Sequence, residues 1–241
     1  MSNTDTFVRN LRKPPETEPS TKKKAAAGFV GEEYDWRVSL SVPPEYIGTD
    51  ILKPLSNTGD KLIFPYNPTI LINHSVTYNP LQPIHSNYPF LSYQNSQVDD
   101  MTITGEFIVQ NSDDAQYWIA AVHYLRSITK MAYGQSPNNG APPVLVRLNG
   151  YGDYVFPDVP VAIRSFSVQM NADVDFIRTQ VKGKVLDGTE IKFDSSNGVA
   201  WVPTRSDIAV TVSPVYSRAK VSEFNLKSFI DGDYVENGGF I

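Results

Sequence analysis

The chain has 241 residues, a formal net charge of -5 and 41% hydrophobic residues, enough apolar content for a real core and too much for a wholly disordered polymer. The acidic balance lacks the basic face that a nucleic-acid clamp needs, so sequence-specific nucleic-acid binding is not expected. No cysteine is present, which excludes disulfides and thiolate metal sites; no apolar run nears the ~18 residues that span a bilayer and no signal-peptide core follows Met1, so no membrane partner is expected.

Residues 1–33 stand apart in composition. Pro14, Pro15 and Pro19, the run Lys22, Lys23 and Lys24, and Ala25 to Ala27 offer little to bury, which predicts an extended arm. The lysine run is expected to be a solvated contact segment rather than a nucleic-acid patch. From Trp36 to Val42 apolar and polar residues alternate with the period of a half-buried strand, and Pro43 and Pro44 end it. Further strands are predicted at 61–64, 69–72 and 74–78. Residues 79–98 hold three prolines and several aromatics and read as a long surface loop, of the kind used for contacts.

Met101 to Val109 reads as a strand with Met101, Ile103, Phe107 and Val109 on one face. Asn111 to Asp114 then supplies capping oxygens and negative charge for a helix over about 112–133. Its predicted buried stripe is Trp118, Ala121, Val122, Leu125, Ile128, Thr129 and Ala132, with Gly134 as the C-terminal cap. Strands follow at 144–148, 154–156, 161–168 and from 176 to 181, with a hairpin from Val185 to Phe193. Residues 199–203 lead into an alternating strand at 207–212. A short helix over 223–229 behind a Ser222 cap precedes a Gly-rich tail, 233–241. One domain, 34–232, is therefore expected: mainly antiparallel β with one long helix and no repeated βα alternation.

Catalytic and metal signatures are weak. His74, His85 and His123 lack the i, i+4 spacing of a helical zinc site. Asp113 and Asp114 have a sufficient task as helix-start residues, and Asp99 and Asp100, adjacent at a strand entry, point to opposite faces. Asp173 and Asp175 begin like a calcium loop without the rest of its ligands. No phosphate-binding glycine motif or nucleophile elbow occurs. The expectation is a non-enzymatic protein with no catalytic, metal or cofactor residues. Tyr78, Tyr88, Phe90 and Tyr93 fit either an interface or a sugar platform, and tyrosine favours the interface.

Four stretches in order carry a resemblance: 104–134 (TGEFIVQNSDDAQYWIAAVHYLRSITKMAYG), 164–177 (RSFSVQMNADVDFI), 200–218 (AWVPTRSDIAVTVSPVYSR) and 221–232 (VSEFNLKSFIDG). Together, over about a third of the chain, they resemble the tail-tube initiator and tube-cap proteins of T4-like contractile phage baseplates. The resemblance implies a tail-tube β-sandwich or barrel with a flanking helix and terminal arms. It also implies a virion protein, assembled in the host cytoplasm as a hexameric ring between baseplate hub and tail tube, lining the channel for the genome. Its partners would be further copies of itself and the neighbouring tube and hub proteins. Tyr88, Phe90, Tyr93, Tyr216, Arg218, Phe224 and Phe229, with the lysine run, are the expected contact residues. The alternative function is a carbohydrate-binding or other adhesion module of a virion.

Overall fold

The structure is a computed structural model and describes residues 36–47, 50–134, 139–152, 154–181, 183–187, 190–194, 198–234 and 239–241, with 183–187 and 190–194 described by their backbone alone. Seven antiparallel strands form the main sheet: β1 (Ser39–Ser41), β2 (Lys61–Ile63), β3 (Thr69–Leu71), β6 (Met101–Ile108), β7 (Val146–Gly150), β8 (Phe156–Met170) and β13 (Arg205–Pro214). Their spatial order is β2-β1-β7-β8-β13-β6-β3. The expected antiparallel, mainly β architecture with one long helix is therefore present. Among the described residues the sheet is open, with β2 and β3 as its edges, so the expected barrel closure is not observed.

The alternation seen in the sequence sets which face is covered. Met101, Ile103, Phe107, Ile208, Val210 and Val212 point to one face and are buried, and β1 and β7 add Leu40, Val146 and Leu148. On that face lies α2 (Ser112–Ile128), joined by the single turn α1 (Lys53–Ser56), which buries Leu55. The helix starts because the Asn111 carboxamide accepts from the N–H groups of Asp113 and Asp114 at 2.9 and 2.8 Å. Asp114 reaches back to accept from the Gln110 N–H, a reciprocal cap. Asp113 and Asp114 add charge to the first turn, as expected.

The helix ends earlier than the predicted 133. At its last turn the Thr129 hydroxyl donates to the carbonyls of Leu125 and Arg126, and Ala132 exchanges backbone hydrogen bonds with Gly140 and Ala141. Those bonds compete with helical ones, so Gly134, though left-handed, caps nothing. Burial is also wider than the predicted stripe, taking in Ala115, Tyr117, Ala120 and Tyr124. His123 is exposed on the remaining side.

Gly105 sits in mid-strand because the fully buried Phe64 ring occupies the space where its Cβ would be. Gly105→Ala is expected to lower stability by about 1–3 kcal/mol, the usual range for overpacking. Adding Phe64→Leu should recover part of that loss in thermal melts. A Gly105→Ala chain as stable as wild type would remove this account.

Residues 154–156 and 161–168, predicted as separate strands, belong partly to one strand, β8, which begins at Phe156. Pro157 and Pro160 lie in the stretch between the two predicted segments. They are accommodated because the ladder with β7 bulges there, with Asp158 at φ 51 and its N–H donating to the Asn149 side chain. A second irregularity, opposite Thr211 and Val212, leaves Arg164 without a partner across the ladder and lets its guanidinium meet Asp100 at 3.2 Å.

Three two-stranded pieces complete the fold: β4 (His74–Leu81) with β5 (Phe90–Val98), β9 (Phe176–Gln180) with β12 (Val199–Pro203), and β10 (Gly183–Asp187) with β11 (Glu190–Asp194). The β10/β11 pair is the predicted hairpin, with Val185 opposite Lys192. Two short helices follow, α3 (Arg218–Ser222) and α4 (Leu226–Asp231). The expected Ser222 cap is instead the last residue of α3, and α4 is capped by the Asn225 carboxamide, which accepts from Lys227 N–H.

Candidate assembly interface

Residues 79–98, expected to be a loop, form most of a β-hairpin. β4 extends the line of β3, and β5 leads straight into β6. Asp99 N–H donates to Asn73 carbonyl at 2.9 Å where the two ladders join. The Ser75 hydroxyl and the Gln97 amide both donate to the Asp99 carboxylate at that junction. With Asp100 paired to Arg164, both aspartates hold structure together and do not face a common site.

The hairpin has two unlike faces. Register places Val76, Tyr78, Leu91, Tyr93 and Val98 on one side, with the Tyr78 and Tyr93 rings edge to face at 6.0 Å. The other side carries Ser75, Thr77, Asn79, Ser92, Asn95 and Gln97 along most of its length. Such alternation belongs to a half-buried sheet, yet β4 and β5 are hydrogen-bonded only to each other. Tyr78, Leu91 and Tyr93 are 51%, 66% and 58% exposed, the burial of a face that has no cover among the described residues. An isolated two-stranded hairpin is marginal in water, so this one is suited to being completed by something else.

Charge is missing from the same region. From Leu62 to Val98 the chain has no Asp, Glu, Lys or Arg, although charged residues make up 20% of the whole. Depletion of charge marks the centre of protein interfaces, and free edges in isolated proteins are usually defended by lysine. The opposite edge of the sheet is defended. There the Tyr117 hydroxyl accepts from Ile63 N–H at 2.8 Å and donates to Ile63 carbonyl at 2.7 Å, so a helix side chain takes both hydrogen-bonding groups of that β2 residue. On one edge the helix occupies Ile63, and on the other, among the described residues, no strand pairs with the outer side of β3.

The face of the main sheet left uncovered among the described residues is mostly small and polar, with the exposed Leu71 beside Thr102 as an apolar exception. Ser165, Ser167, Thr102, Thr104, Thr211 and Ala209 stand in cross-strand rows, beside Glu106 paired with Arg205. All are exposed or half-exposed.

The predicted contact residues fall into three groups. Lys22, Lys23 and Lys24, with the arm 1–33, lie outside the described residues. Tyr88 is exposed at the hairpin turn, while Phe90 and Tyr93 point to opposite faces of β5 and do not form one surface. Tyr216, Phe224 and Phe229 are brought together by the chain's end: Tyr216 stacks on Phe240 at 4.5 Å, and Phe224 contacts Phe229, Tyr234 and Phe240. The Tyr234 hydroxyl accepts from Asn225 N–H and donates to Glu223 carbonyl, fixing the tail against α4. Burial raises the Tyr216 hydroxyl above its ordinary pKa, while its contact with Ile241 N–H pulls the other way. Arg218 is exposed at the start of α3. The sequence hid Tyr234 and Phe240, because a Gly-rich tail carries no period that shows where its aromatics pack.

Chemistry-bearing groups are scattered. His74 opens β4, His85 sits in the hairpin turn at φ 63, and His123 lies on α2. Among the described residues no three His, Cys, Asp or Glu side chains come close enough to hold a metal ion. No helix among them is long and apolar enough to cross a membrane. The Asp50 Oδ2 atom is buried without a hydrogen-bond partner beside a small cleft lined by Lys53, Asn57 and Gln116, a lone carboxylate rather than an acid–base pair. Compared with known protein families and with curated proteins, the chain matches none.

Proposed function

We propose that this chain is a structural subunit of a contractile tail, closing as a hexameric ring that joins the baseplate hub to the tail tube and lines the channel. The observation that carries the proposal is the uncharged β4/β5 hairpin, whose apolar face has no cover among the described residues. An assembly of copies supplies that cover; a free monomer leaves it in water. The polar, small-residue face of the main sheet supports the same reading. A channel wall for nucleic acid must avoid sticking, and hydroxyls with few cations on a chain of net charge -5 meet that need. The finer fold assignment, a tail-tube domain, and the place in the virion both rest on the resemblance in sequence.

The adhesion reading has less support. A sugar platform uses rings presented in a flat array, whereas Tyr78 and Tyr93 meet at 73° and Phe90 faces away from both. Electron microscopy of the purified chain and of tail particles assembled with it tests the proposal. Six copies around the tail axis, at the hub end of the tube, are the expected result. Density for the chain off the axis, or glycan binding lost on joint alanine substitution of Tyr88, Phe90 and Tyr93 with assembly intact, would overturn it.

A further inference from the structure

Among the described residues there is a second uncovered apolar surface. The β9/β12 ribbon folds over the start of α2, where the Thr179 hydroxyl meets Ser112 at 2.8 Å and Gln180 carbonyl accepts from the Gln116 amide. Its inner face supplies Thr179 and Val202 to the interior. Its outer face holds Phe176, Val199 and Trp201, and Trp201 is 63% exposed. Arg178 stands directly across the ladder from Trp201, a pairing of residue types enriched in interface centres.

The two surfaces lie at opposite ends of the main sheet. The hairpin leaves at the Met101 end of β6, which is paired with Val212. The ribbon joins at the other end, where Arg205 pairs with Ile108 and Thr204 N–H donates to Asp175 carbonyl. The eight residues of β6 separate them, roughly 27 Å at strand rise. The surfaces therefore belong to different ends of one molecule.

Resting on the assembly reading above, we infer that the apolar face of the β4/β5 hairpin docks on the outer face of the β9/β12 ribbon of a second copy, as a head-to-tail contact. Area supports a second copy as the occupant. From their exposures, Val76, Tyr78, Leu91 and Tyr93 with Phe176, Val199 and Trp201 present on the order of 800 Å² of accessible surface. With the polar groups flanking both faces, the contact approaches the lower bound of a standard interface, about 1,200 Å² in total. The missing charge on the hairpin disfavours nucleic acid or an anionic membrane as its occupant, since both are held chiefly by cations. A contact between unlike surfaces generates a ring when the rotation between successive copies closes on itself and an open helical filament when it does not.

Complementation between two blocked variants tests the contact. Tyr93→Glu blocks the hairpin and Trp201→Glu blocks the ribbon; both sites are exposed, and circular dichroism with thermal melting checks that each variant folds. In mass photometry and electron microscopy the wild-type chain should form rings. Each variant alone should be monomeric, with association weakened about 30-fold or more, as for an interface hot spot. Mixed, the intact hairpin of the Trp201→Glu chain meets the intact ribbon of the Tyr93→Glu chain, and a 1:1 dimer forms with nothing larger. Leu91→Glu should behave as Tyr93→Glu does. A mixture that stays monomeric, or a Trp201→Glu chain that still forms rings, overturns the contact and leaves the ring standing. Wild-type filaments stopped by the same substitutions keep the contact and overturn the ring. A wild-type chain that never associates overturns both.

Discussion

Trp118→Ala is expected to remove most of the stability of the domain. The side chain is 6% exposed in the interior between α2 and the sheet, and its indole N–H donates to the Ser206 hydroxyl at 2.8 Å. Truncating a buried tryptophan costs about 3–5 kcal/mol through lost transfer energy and the cavity left behind. The Ser206 side chain, fully buried on β13, would also lose its partner, adding about 1–3 kcal/mol for an unsatisfied polar group. Domains hold only about 5–15 kcal/mol in all, so the midpoint of urea unfolding should fall sharply. Trp118→Phe keeps much of the volume and should cost less, and adding Ser206→Ala to it should be nearly free because the stranded hydroxyl is gone. Trp36 and Trp201 are 53% and 63% exposed, so the blue-shifted part of the native fluorescence should vanish with Trp118 alone. An alanine variant within about 1 kcal/mol of wild type, small on the scale of core truncations, would mean that this ring does not hold helix to sheet.

The parts of the fold visible in the sequence are those with a local cause. The strand at 101–109 alternates because one face meets the helix, and Asn111 to Asp114 announces the helix because its first N–H groups need acceptors. The strand at 74–78 was visible too, but the rest of the hairpin, 79–98, was hidden for the opposite reason. Its strands lie outside the core, Pro80 sits within β4, and a bulge between Thr77 and Tyr78 shifts the period by one residue. Alternation on β5 becomes visible only when Gln94 is skipped, so the apolar face at Leu91, Tyr93 and Val98 reads as scattered aromatics among Ser, Asn and Gln. The candidate interface was thus partly legible: its aromatics were marked for contact, while the faces they occupy depend on register. The missing charge between Leu62 and Val98 was the signal open to a sequence reader, because it needs no register at all. The continuity of β8 was hidden in a similar way, since only the bulge opposite Leu148 and Gly150 shows that one strand runs through 157–160.

Alkaline pH should unfold this domain along a slope set chiefly by two tyrosines, with the smaller upward shifts of Tyr46 and Tyr216 adding to it. Tyr117 and Tyr124 both project from α2 and are 5% and 0% exposed. Tyr117 closes the β2 edge through Ile63, and the Tyr124 hydroxyl donates to the Ser41 carbonyl of β1 at 2.8 Å. Burial pushes both hydroxyls far above the ordinary value of 10.0; for Tyr117 the Ile63 hydrogen bond and the Arg37 charge offset part of that, and for Tyr124 the neighbouring Tyr46 adds to it. In the unfolded chain both ionise near pH 10, while in the folded chain both keep their protons. Above that pH the folded state therefore binds more protons than the unfolded state, and stability falls as pH rises. Below it both states are protonated and these groups contribute no pH dependence. Each tyrosine approaches about 1.4 kcal/mol per pH unit only above the unfolded pKa, so the slope of the pair steepens through pH 10 toward about 2.7 kcal/mol per unit, a loss of about 2.7 kcal/mol between about pH 9 and about pH 11. Urea unfolding from about pH 9 to about pH 11, spanning the unfolded tyrosine pKa, measures it directly. Tyr124→Phe should halve the slope while lowering stability at neutral pH, because the Ser41 carbonyl loses its donor. Tyr117→Phe should halve it too, and should also free the Ile63 N–H and carbonyl to accept a strand from another chain. An unchanged slope in the double phenylalanine variant would assign the alkaline transition to other groups.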